Sequence, residues 1–156
     1  HQQSAHLASE LLGRPIYFEL PLVNAGKGAI ETQTARQRIA QFAGESPLVL
    51  TTAPLFSDKA QIFPHSSFIV GADTAARLVQ PRFYQDDRRQ MLAAFEQIRV
   101  AGCQFLVAGR QHNDAFITLA DIAIPAGYKE LFRAIPETRL RLDISSTQLR
   151  KQGLTT

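Results

Sequence analysis

Near the C-terminus, Ile144-Ser145-Ser146-Thr147-Gln148-Leu149-Arg150 groups the residue types that hold phosphate at the start of a helix. It follows Arg139-Leu140-Arg141-Leu142-Asp143, which reads as a strand. Small hydroxyl side chains in a first helical turn leave the unsatisfied backbone N–H groups open, and the positive end of the helix dipole favours an anion there. Arg150 falls about one turn further on. Its guanidinium reaches the same phosphate in a two-pronged contact that a compact ammonium does not reproduce. A polyphosphate is the ligand this string suits. On the residues alone a second reading stays open, in which Ser145 or Ser146 simply caps a surface helix.

Phosphate chemistry of this kind needs elements that bring several loops to one edge, and the chain supplies them. Gln2 to Leu12 reads as a helix stopped by Gly13 and Pro15, and Ile16–Leu20 as a short apolar strand. A loop then runs from Pro21 through Asn24, Gly26, Lys27 and Gly28. A helix starting near Thr32 or Thr34 turns Ala35, Ile39 and Phe42 inward, and Leu48–Thr52 is the next buried strand. Residues 58–63 are helical, Ser67–Val70 is a strand ending at Gly71-Ala72-Asp73, and Thr74–Val79 is a helix that Pro81-Arg82-Phe83-Tyr84 interrupts. Asp87 with Gln90 has the spacing of a capping box before the apolar stripe Met91, Leu92, Phe95 and Ile98, which closes at Gly102. Gln104–Ala108 is a strand with Gly109–Asp114 as its exit loop.

Strands that are apolar throughout and alternate with amphipathic helices predict an α/β protein with a doubly wound parallel sheet covered on both faces. In such sheets ligands bind beyond the carboxyl ends of the strands, which is where the loops singled out above emerge.

A chain of 156 residues with 45% apolar content suits one domain with a sizeable core. The net charge of +3 fits an anionic ligand, but Lys and Arg form no run, so nucleic acid is not a predicted partner. Cys103 is the only cysteine, which excludes an internal disulfide or a multi-thiolate zinc site and fits a reducing cytosol; it reads as inert core. No apolar run approaches the roughly 18 residues of a membrane span. The expectation is a cytoplasmic protein with small-molecule partners and no membrane or resident metal.

Three segments carry a resemblance. Ile144–Arg150 matches the I-S-S-T-x-I/L-R signature of nicotinamide and nicotinate mononucleotide adenylyltransferases, members of the nucleotidylyltransferase superfamily. Phe68-Ile69-Val70-Gly71-Ala72-Asp73-Thr74 resembles their strand-G-A-D segment, and Phe105-Leu106-Val107-Ala108-Gly109-Arg110 their later strand-and-arginine segment, in the same order and spacing. The loop Leu22–Gly28, with Asn24 and Lys27, is a looser match to the family's substrate-side loop. Lys27 read alone is equally a solvated loop lysine.

Family members open with a strand and a G-x-F-x-P-x-H-x-G-H segment. The resemblance implies that residues 1–156 form a nucleotidylyltransferase-like domain lacking that strand and most of the motif, with His1 as its second histidine. A residue left from an affinity tag is the other reading of His1. Related nicotinamide-nucleotide enzymes place a tryptophan after the G-A-D helix. This chain has none, so Phe83 or Tyr84 is the candidate for stacking on the ring, or else a core plug.

The implied activity is attack by the 5′-phosphate of a mononucleotide on the α-phosphorus of ATP, giving a dinucleotide and pyrophosphate, with Mg²⁺ entering with ATP. A phosphate is already a nucleophile, so the protein must align two anions and offset charge. By resemblance, His1 and Arg150 are the catalytic residues and Gly71, Asp73, Arg110, Ser145, Ser146, Thr147 and Arg150 bind nucleotide. Gly71 gives the ATP ribose or adenine a close approach to backbone, and Asp73 accepts from a sugar hydroxyl or base. The alternatives are a nucleotide-binding or regulatory module without turnover and a transferase for another phosphorylated acceptor. The oligomeric state is left open.

Overall fold

The computed structural model describes residue 9 and residues 12–24, 28–42, 47–112 and 115–136. In chain order the elements are β1 (Phe18–Pro21), β2 (Val23–Asn24), β3 (Gly28–Ala29), α1 (Thr32–Ala40), β4 (Leu48–Thr51), α2 (Phe56–Ile62), β5 (Ser67–Gly71) and α3 (Ala72–Leu78). They are followed by a 3-10 turn (Pro81–Tyr84), α4 (Arg88–Val100), β6 (Gln104–Ala108), β7 (Arg110–His112), β8 (Ala115–Ile117) and β9 (Phe132–Ile135), with 3-10 turns at Leu119–Asp121 and Ala126–Leu131.

The protein is a mixed α/β structure built on parallel strands. β1 pairs with β4, and β5, β6 and β9 form a three-stranded parallel sheet with β6 in the middle. After Gln104, β6 is apolar from Phe105 to Ala108, and all four of these residues are buried. Phe105 and Val107 join the main core with Phe95, Ile98 and Met91 of α4, whereas Leu106 and Ala108 pack with Ile69, Ile135 and Leu12 on the other face. Phenylalanine rings dominate the first core: Phe105 stacks on Phe132 with centroids 5.0 Å apart and meets Phe56 edge-on at 5.2 Å. Each fully buried ring contributes roughly 1.5–3 kcal/mol through removal from water.

α4 shows how the sequence fixes an element. The Asp87 carboxylate accepts from the Arg89 and Gln90 backbone N–H groups at 2.7 and 3.4 Å, satisfying donors that the first turn leaves free. Met91, Ala94, Phe95 and Ile98 form its buried stripe. At the end Gly102 takes a left-handed φ of +69°, which lets its N–H reach Arg99 O and the Cys103 N–H reach Ile98 O. Cys103 is buried, with its thiol donating to Phe63 O.

Several sequence expectations need correction. The first strand begins at Phe18 rather than Ile16, and the segment from Leu22 to Gly28, expected as open loop, starts and ends in the short antiparallel pair β2–β3. The expected exit loop after β6 is the hairpin β7–β8, whose polar residues Arg110, Gln111 and His112 are held by backbone pairing. β9 was not anticipated. The parallel strands also fall into two sheets rather than one.

Between those sheets lies a cleft of about 660 Å³, lined by residues 15–19 around the start of β1 and by His65–Ile69 around the start of β5. α2 reaches across it. Lys59 Nζ donates to Glu19 Oε2 at 2.7 Å, and the Thr51 hydroxyl donates to the other Glu19 oxygen. Arg14 Nη1 also bridges to His65 O at 3.1 Å.

Candidate functional site at the carboxyl edge of the parallel sheet

Strand register decides which side chains meet at the edge of the three-stranded sheet. Gly71, the last residue of β5, is the register partner of Ala108, the last residue of β6. Asp73 and Arg110 each lie two positions further on, so they leave neighbouring strands at the same edge. Arg110 Nη1 donates to Asp73 Oδ1 at 3.0 Å, and both side chains remain partly open to solvent. Asp73 sits in the first turn of α3, with Gly71 as the residue preceding that helix.

Gly71 completes the group. A Cβ built at this position would lie 2.7 Å from Asp73 Oδ1, inside the distance real side chains keep, and at an ordinary contact distance of 3.8 Å from the Arg110 side chain. The glycine thus gives room for the carboxylate to fold back over the strand end. Three residues selected from two separate sequence segments are brought into one cluster.

The guanidinium has five N–H donors, and the ion pair uses one at Nη1. Asp73 Oδ2 has no hydrogen-bond partner among the described residues. The cluster therefore offers a fixed cation for an oxyanion and a carboxylate oxygen for a hydroxyl. Among the described residues no group of three or more His, Cys, Asp or Glu side chains could hold a metal ion.

The two aromatic candidates part company. Phe83 is 37% exposed, with the Arg82 guanidinium 4.8 Å from its ring centre. Tyr84 is buried in the main core, where desolvation pushes its phenol up to about 12. A ring sealed among core side chains has no face for a ligand, so Phe83 is the one of the pair that presents a surface. Both follow α3, beyond the end opposite Asp73.

The backbone of Asn24 pairs with Gly28 in the β2–β3 hairpin. His1, Lys27, Ser145, Ser146, Thr147 and Arg150 lie outside the described residues. The sequence reading did not single out the Glu19, Thr51 and Lys59 cluster. Its signal was Glu19, a carboxylate within an otherwise apolar strand that must find a cation or hydroxyl on burial. Lys59 is 6% exposed and also lies over the Phe56 ring at 4.9 Å.

No helix among the described residues is long and apolar enough to cross a membrane. Comparison with protein-family models, with curated proteins and with solved structures returned no match for this chain.

Proposed function

We propose that this chain is a nucleotidylyltransferase-type unit that transfers the adenylyl group of ATP to the 5′-phosphate of a nicotinamide or nicotinate mononucleotide, releasing pyrophosphate. The observation that carries this reading is the convergence of Gly71, Asp73 and Arg110 at the carboxyl ends of two adjacent parallel strands. That edge is where ligands bind in open α/β sheets.

The cleft between the sheets supports the same reading. It is flanked by β1 and β5, each already paired in parallel with one other strand, β4 and β6 respectively. One further parallel strand placed there, the opening strand of the resembled family, joins all five parallel strands into a single sheet ordered β4-β1-opening strand-β5-β6-β9. Counted along the chain with the opening strand first, that is 3-2-1-4-5-6, the doubly wound order. Its switch point falls between the opening strand and β5, directly below Gly71. α4 packs on one face of the β5–β6–β9 sheet and Leu12 touches the other, which is compatible with that architecture.

In this scheme Ser145, Ser146 and Thr147 hold the β- and γ-phosphates with Arg150 neutralising them, and His1 supports the α-phosphate. Arg110 adds a cation at the neighbouring strand end, Asp73 Oδ2 accepts from a sugar hydroxyl, and Asn24 and Lys27 stand on the acceptor side. The nucleophile is the acceptor's own phosphate oxygen. Its bond to the α-phosphorus forms as the bond to the pyrophosphate oxygen breaks, and no covalent enzyme intermediate is required. Mg²⁺ arrives as Mg·ATP, and the carboxylates Asp73 and Glu19 each already pair with a cation of the chain, Arg110 and Lys59. A reducing cytosol suits the single buried thiol and the supply of nucleotides.

The test is product analysis on the full-length protein with Mg·ATP and a panel of phosphorylated acceptors. A dinucleotide formed one-for-one with pyrophosphate from a pyridine mononucleotide supports the assignment. Dinucleotide from another acceptor moves the substrate, and tight ATP binding without product favours a regulatory module.

A further inference from the structure

We propose that Asp73 acts on a bound phosphate through Arg110, as a positioning residue, and that Gly71 exists to let it do so. This rests on the nucleotide reading above and gives Asp73 a second task, carried by Oδ1, beside the sugar contact assigned to Oδ2. The atom that a Cβ at Gly71 meets first is Asp73 Oδ1, at 2.7 Å, and this is the same oxygen that accepts from Arg110 at 3.0 Å.

The pair contributes little to folding. With side chains 26% and 32% exposed, it belongs to the class of solvent-screened ion pairs worth roughly 0–1 kcal/mol. What it does supply is direction. An unattached arginine spreads over many rotamers, and an oxyanion must freeze them on binding. Pinning one Nη1 hydrogen to a carboxylate beforehand leaves the other four N–H groups in a fixed plane, ready for two-pronged contact with a phosphate. A carboxylate beside an anion site otherwise weakens binding through like-charge repulsion. The sign of its effect is therefore diagnostic.

Calorimetry with inorganic pyrophosphate on the full-length protein tests this, using Gly71→Ala, Asp73→Asn, Arg110→Gln and the Asp73→Asn/Arg110→Gln double variant. Side-chain ¹⁵N NMR of the Arg110 guanidinium runs in parallel. Gly71→Ala keeps every charge and needs only the end of one side chain to shift, so it isolates geometry. The expected result is about three- to tenfold weaker binding in both Gly71→Ala and Asp73→Asn. The double variant should be no weaker than Arg110→Gln alone. Guanidinium rotation should be slow in the wild type and fast in Gly71→Ala. Tighter binding in Asp73→Asn, multiplicative losses in the double variant, or identical guanidinium motion with and without the alanine overturns the positioning role. A wild-type protein with a slowly rotating guanidinium that ignores both pyrophosphate and ATP instead overturns the nucleotide reading, and with it the anion assigned to the pair.

Discussion

Lys59 and Glu19 meet at 2.7 Å in the wall between two parallel sheets, and the lysine side chain is only 7% exposed. The contact ties α2 to β1 across the cleft, while Thr51 at the end of β4 takes the second carboxylate oxygen. A buried ammonium is tolerated only with a partner, and here it has a carboxylate and an aromatic face.

Removing one member of such a pair strands the other. Lys59→Met should destabilise the fold by about 2–4 kcal/mol, the lower part of that range reflecting the partial exposure of Glu19. The double variant Lys59→Met/Glu19→Gln should recover part of the loss. Urea denaturation of the two variants measures this, and equal stability of Lys59→Met and the wild type would show that the pair is not holding the sheets.

Tyr84 gives a pH signature. Its phenol is pushed up to about 12 by burial, against 10.0 for the free group. Below pH 10 both folded and unfolded states keep the proton and no stability is lost. Between about pH 10 and 12 the unfolded chain ionises first, so stability should fall by roughly 2–3 kcal/mol. Tyr84→Phe should remove this segment of the pH profile. The same slope in that variant would assign the loss to another group.

If a further parallel strand fills the cleft, the edges of β1 and β5 change state. Their backbone groups not used by β4 and β6 should become hydrogen-bonded in a protein carrying the opening strand ahead of residue 1. Hydrogen exchange on residues 1–156 alone and on the same residues with a candidate opening strand added ahead of residue 1 makes the comparison. The Glu19 amide of β1 and alternate amides over Ser67–Gly71 should be protected only in the longer chain, since Phe18 and Leu22 already donate toward β4 and Pro21 has no N–H; equal exchange in both would empty the cleft of its strand.

How much of this was legible in the sequence follows from how each residue earns its position. β6 reads correctly to the residue because Phe105, Leu106, Val107 and Ala108 are all buried and leave no ambiguity of period. α4 reads correctly because Asp87 and Gly102 punctuate it with specific backbone chemistry. β9 was missed because only Phe132 and Ile135 of its four residues are buried, with Arg133 and Ala134 exposed, a spacing that matches neither alternation nor a continuous run. The β7–β8 hairpin was missed because its first strand, Arg110–His112, is polar and its partner, Ala115–Ile117, is three residues long, too short to show a period. Asp73 and Arg110 were singled out through resemblance, but their contact was invisible until the β5–β6 register placed Gly71 opposite Ala108.

The most direct measurement is an amide NMR titration of the full-length protein with Mg·ATP. Nucleotide bound across the carboxyl edge should shift Gly71, Asp73 and Arg110 together, while Ser67 and Gln104, paired at the opposite end of the same two strands, stay in place. Saturating ATP that leaves those three amides unmoved, or that perturbs the Ser67–Gln104 end instead, would contradict a nucleotide site at this edge.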